Sequence, residues 1–145
     1  MLAVAHRCPC GEPDVVLTAP RLEDGSPFPT LYYLTCPRAC SAVGRLEGAG
    51  VMRDMETRLA SDAALRESYA LAHVRYLRER DDVQPVPEIG GVSAGGMPDR
   101  VKCLHVLLAQ SLVSGPGVNP LGDEVRDRVG SWWVSGGCAA EGTVS

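Results

Sequence analysis

Thr30-Leu-Tyr-Tyr-Leu-Thr-Cys-Pro-Arg-Ala-Cys40 is where this chain changes character. Thr30–Thr35 is aromatic and β-branched, the composition of a half-buried strand. Pro37 follows at once, and a proline suits the first turn of a helix, where no amide hydrogen is needed. Upstream of this point the chain predicts strands and turns. Downstream it predicts helices joined by loops.

Working back from it, Pro20–Pro29 contains Asp24-Gly-Ser-Pro-Phe-Pro29 and must be a loop, because its prolines bar it from a central strand. Val15–Thr18 and Leu2–His6 are two further β-prone runs, separated by the turn chemistry of Cys8-Pro-Cys-Gly-Glu-Pro13. Working forward, Ala39–Glu47 predicts a short helix stopped by Gly48 and Gly50. Val51–Ala60 predicts a second, and residues 62 to about 82 a long third with Ser61 as N-cap. Leu65, Tyr69, Ala72 and Tyr76 form its inward stripe, and Arg75, Arg78, Glu79 and Arg80 its solvated face. Pro98 is read as the start of a fourth helix running to Ser114, apolar nearly all round and so central. Leu121–Val129 is a last short helix, with Trp132-Trp133 docking that end. The fold class is α+β: a small antiparallel sheet of about three strands covered by four or five helices. Residues 1–133 are read as one domain and 134–145 as a flexible tail.

The chain has 145 residues, 45% hydrophobic and 22% charged, with a formal net charge of −4. That balance disfavours non-specific binding to nucleic acid or to an anionic membrane. No apolar run approaches the roughly 20 residues that cross a bilayer, and the start at Met1–Arg7 does not have the form of a signal peptide. A cytoplasmic location is the default. Partner proteins and oligomeric state leave no mark in the sequence.

Six cysteines are many for a reduced compartment and point to metal or redox work before disulfides. Cys8 and Cys10 sit on a hairpin turn, and Cys36 and Cys40 at a helix start, where a thiol pKa is lowered. Adjacent strands would bring Cys8 and Cys36 close. A four-thiolate set suits zinc or an iron–sulfur cluster. The ligands expected are Cys8, Cys10, Cys36 and Cys103, with Cys40 and His105 in reserve. Cys138, in a Gly/Ser/Ala tail, is read as a bystander. If residues 98–114 are regular helix, Cys103 and His105 lie about 200° apart and cannot hold one ion together. Cys103 is then equally a ligand and a buried thiol, and His105 a buried imidazole before it is a ligand.

Gly90-Gly-Val-Ser-Ala-Gly-Gly96 runs into that helix start, and free N–H groups there attract phosphate or carboxylate. Ser93, Gly95, Gly96, Arg100 and Lys102 are the candidate anion-binding residues. Lys102 is the only lysine in the chain, which suggests a need for a compact ammonium. Neither the Walker spacing nor the dinucleotide fingerprint is present. Asp99 in the first turn could itself occupy the helix end. Lys102, His105 and Asp99 are the candidates for catalysis, and His6 and His73 are further titratable groups outside any motif.

Arg7-Cys-Pro-Cys-Gly11, the run Pro27–Pro37, Ser93-Ala-Gly-Gly-Met-Pro-Asp-Arg-Val-Lys-Cys-Leu-His105 and Gly115-Pro-Gly-Val-Asn-Pro-Leu-Gly-Asp-Glu124 are long, specific words. Through them the chain resembles the bacterial family catalogued as domain of unknown function 501, over about residues 3 to 133. The resemblance implies no established catalytic residues. It implies a helical segment before Ala3 in many relatives, so this chain reads as shortened at its start. It also implies histidine at the position of Gln110, so a metal site using that position is weakened here.

Three functions follow from these readings. The first is a metal-binding protein whose cysteines hold zinc or an iron–sulfur cluster in a structural role. The second is a small enzyme or sensor for a phosphorylated or carboxylated ligand at the glycine loop. The third is an interaction module without ligand, using the Pro20–Pro29 loop and Trp132-Trp133.

Overall fold

The switch at Cys36-Pro37 holds in the computed structural model, which describes residues 2–134. Strand β1 (Ala3–Arg7) pairs antiparallel with β2 (Pro13–Leu17), which pairs antiparallel with β3 (Tyr32–Leu34). Pro13 stands at the first position of the central strand, where a missing donor does least harm. The helices are α1 (Pro37–Gly48), α2 (Val51–Ser61), α3 (Ala63–Val83), α4 (Leu104–Ser114) and α5 (Pro120–Val129), with a single 3-10 turn at Pro87–Ile89. The α+β class and the three-stranded sheet are as expected. The tail beyond Val134, with Cys138, lies outside the described residues.

Helix α4 is central. Leu104, Val106–Leu112 are buried without interruption, and the helix touches all three strands as well as α1 and α5. Val15, Leu34, Val43, Tyr69 and Leu121 close the core around it. A helix buried on every side cannot show an amphipathic period. At the α4–α5 crossing, Gly122 lies directly against the Leu107 carbonyl. Trp132 docks in the core as expected and meets Trp133 edge-on at 4.9 Å.

Three local expectations are corrected. Asp62, one residue after the predicted Ser61, caps α3, its Oδ1 accepting from the Leu65 N–H at 3.0 Å. The predicted helix from Pro98 begins only at Leu104. Residues 95–103 have their backbone groups claimed by tertiary partners: Glu56 accepts from the Val101 N–H, Tyr69 donates to the Arg100 carbonyl, and the Lys102 N–H turns back to the Gly95 carbonyl. Those bonds stop the i to i−4 ladder at the single turn from Gly96 to Arg100. Gly96, at φ +91°, fits the turn because a Cβ there would meet the Arg100 backbone at 2.9 Å.

The third correction is Arg80. It is 1% exposed instead of solvated, and its guanidinium donates to the carbonyls of Pro29, Ile89 and Val92 at 2.7–2.8 Å. Burial lowers its pKa. It ties the loop before β3 to the loop before α4. Arg80→Leu is expected to cost about 3 kcal/mol in urea denaturation, since it leaves several carbonyls without donors. Loss below about 1 kcal/mol would mean that water replaces the guanidinium without penalty.

Candidate metal centre and the neighbouring cleft

Because α4 starts at Leu104, Cys103 is its N-cap and has extended backbone, φ −152° and ψ 111°. That one residue outside the helix cancels the 200° separation. Cys103 and His105 converge instead of diverging. Glu47, near the C-terminal end of α1, reaches the same point. Its Oε2 accepts from the Leu104 N–H at 2.9 Å and sits 3.1 Å from His105 Nδ1. One carboxylate oxygen of Glu47, the Cys103 sulfur and an imidazole nitrogen of His105 all lie within 4.8 Å of one another. Among the described residues this is the one group of three such side chains at that separation.

The electrostatics of the three are coupled. Hydrogen bonding to Cys103, supported by the Glu47 carboxylate, outweighs burial and pushes His105 up to about 9. Burial alone would raise the Cys103 thiol, but His105 and the Val106 N–H override it and hold the thiol below its ordinary value. Cys103 makes no strict side-chain capping bond, yet the Val106 amide lies near enough to favour a thiolate. The group is half-buried. Cys103 and His105 form one wall of a cleft of about 390 Å³ whose other walls include Tyr32, Tyr33, Leu34 and Cys40.

The structure places Cys8 and Cys36 in the core, Cys10 on the surface, and all three outside this group. Cys40 is near it, but its thiol contacts the Leu34 carbonyl at 3.6 Å and burial pushes it up to about 11, so it stays protonated at neutral pH. Gln110 is 0% exposed and bridges the Ala72 carbonyl and Asn119. The amide makes a structural link at the position where the resemblance implied histidine. His6 pairs with the buried Asp14 at 2.8 Å and His73 with Ser93 at 2.7 Å, and neither histidine belongs to the group of Glu47, Cys103 and His105. Asp99 lines a different hollow, between α2 and α3, and does not reach the α4 end.

A second cleft, about 480 Å³, adjoins the first across Thr30, Cys103 and Val106. Ser93, Gly95, Gly96, Arg100 and Lys102, the five residues expected to bind an anion, all line it. The α4 N-terminus is not available to them, because Glu47 already holds the Leu104 N–H. Arg100 is ion-paired to Glu56 at 2.7 Å.

A family profile described as Protein of unknown function (DUF501) matches residues 4–127 of this chain. The chain belongs to that family. Comparison with curated proteins and with solved structures finds no match. The family match spans every element from β1 into α5, so Glu47, Cys103 and His105 all lie inside it. Among the described residues no helix is long and apolar enough to cross a membrane.

Proposed function

We propose that this protein binds one divalent metal ion of the zinc type through Glu47, Cys103 and His105. The observation that carries the proposal is the convergence of a sulfur, a nitrogen and a carboxylate oxygen within 4.8 Å, from two separate elements. Thiolate, imidazole and carboxylate are the donors zinc takes. The Cys103 thiol is held below its ordinary value beside His105, which favours the thiolate that a metal takes. Three protein ligands leave a fourth position, and the cleft of about 390 Å³ lets water or a substrate reach it. Structural sites are usually closed by four protein ligands, so the open arrangement favours a reactive metal over a structural one, the reverse of the sequence expectation.

A second reading rests on the same chain of contacts. Glu47 orients His105, and His105 activates Cys103, the order of a nucleophilic thiol with its base and orienting carboxylate. Zinc titration into metal-free protein separates the two. Uptake of one equivalent, with Cys103 then protected from iodoacetamide, supports the metal. Failure of folded, reduced protein to take up zinc, with Cys103 alkylated fastest among the cysteines, would leave the nucleophile.

A further inference from the structure

The cleft next to the metal group has an asymmetry in its backbone. The carbonyls of Ala94, Gly95 and Gly96 are consumed by the N–H groups of Met97, Lys102 and Arg100. Those of Pro29 and Val92 are consumed by Arg80. The N–H groups of Ser93, Ala94, Gly95 and Gly96 find no acceptor among the described residues. Four consecutive donors are therefore left over on a loop whose acceptors are taken. Successive unpaired N–H groups around left-handed glycines, here Gly95 at φ +67° and Gly96 at φ +91°, form concavities that hold anions.

The charges nearby agree with this. No acidic side chain lines the cleft. Arg100 is ion-paired to Glu56, whereas Lys102, exposed at the cleft, feels that carboxylate only at a distance and forms no ion pair among the described residues. Behind the wall, the buried Arg80 guanidinium donates its hydrogen bonds to carbonyls alone, with the Asp81 carboxylate acting on it only through charge. The hydroxyl of Ser93 is engaged by His73 and does not compete for the loop's donors.

We propose that this cleft binds a phosphoryl group, held by the N–H groups of residues 93–96 and by the Lys102 ammonium. Four amide donors and a compact cation match the several oxygens and double charge of a phosphate better than one planar carboxylate. Cys103 forms the wall shared with the proposed metal position, so a phosphorylated substrate would lie with its phosphoryl group in one cleft and its remainder facing the other. The phosphoryl site does not depend on the metal reading.

The test is a titration of metal-free, 15N-labelled protein with inorganic phosphate, followed by its amide spectrum. The amides of Ala94, Gly95 and Gly96 are expected to shift saturably, and Lys102→Gln to weaken the binding at least about tenfold. Lys102 is exposed, so that variant folds. An unchanged affinity in Lys102→Gln, an equal response to acetate, or no saturable shift would overturn the proposal. Shifts seen only after zinc loading would place phosphate on the metal, overturning the loop site and sparing the metal. Loop binding in a protein that takes up no zinc would do the opposite.

Discussion

Cys103→Ser is expected to lower zinc affinity at least about 100-fold while leaving the metal-free protein as stable as before. Even residues one shell outside a metal cost about 10–100-fold when removed, and a thiolate ligand exceeds them. Stability is spared because Cys103 is the N-cap of α4 and serine is among the best residues at that position. Glu47→Gln differs in kind, since Glu47 also accepts from the Leu104 N–H and a neutral amide oxygen is a weaker partner for a helix end. It should lose zinc affinity and also lower the melting temperature of the metal-free protein. Equal zinc binding by wild type and Cys103→Ser, measured by competition with a chromogenic chelator, would remove Cys103 from the ligand set.

Gly122→Ala carries the largest expected effect on stability. A Cβ at Gly122 would overlap the Leu107 carbonyl oxygen and lie 2.9 Å from its carbon. Both are backbone atoms of α4, which is buried between the sheet and α5 and cannot yield as a side-chain tip would. The helices must separate by about an ångström or more, opening a void along the core. A loss of about 3 kcal/mol or more follows. Urea denaturation measures it directly. A loss under about 1 kcal/mol would show that α5 slides past α4 freely. Since α4 carries Leu104 and His105, the same variant is expected to weaken zinc binding as well.

The sheet and most helices were legible because their residues act locally. β-branched and aromatic runs bounded by prolines mark the three strands, and Pro37, Gly48 and Gly50 bracket α1. The Tyr69, Ala72, Tyr76 stripe marks the buried face of α3. What failed was decided by tertiary contact. Residues 98–103 have helix-compatible composition, but Glu56 and Tyr69, distant in sequence, take their backbone groups. That single boundary reversed the geometry of Cys103 and His105. Glu47 had no signal at all, since one glutamate on a predicted short helix is indistinguishable from a solvated charge. Arg80 looked the same and is buried. The glycine loop and Lys102 were legible as a place of interest, because glycines in a loop and a lone lysine stand out without any knowledge of contacts. That all five of those residues line one cleft is a fact of the fold.

Cobalt substitution tests the metal site most directly. Co(II) reports its ligands through a thiolate charge-transfer band and through visible bands whose intensity reflects coordination number. One equivalent of Co(II) should produce the charge-transfer band of a single thiolate. That band should vanish in Cys103→Ser and persist in Cys8→Ser and Cys36→Ser. No band with folded, reduced protein, or a multi-thiolate band lost in Cys8→Ser or Cys36→Ser but kept in Cys103→Ser, would contradict a metal centre at Glu47, Cys103 and His105.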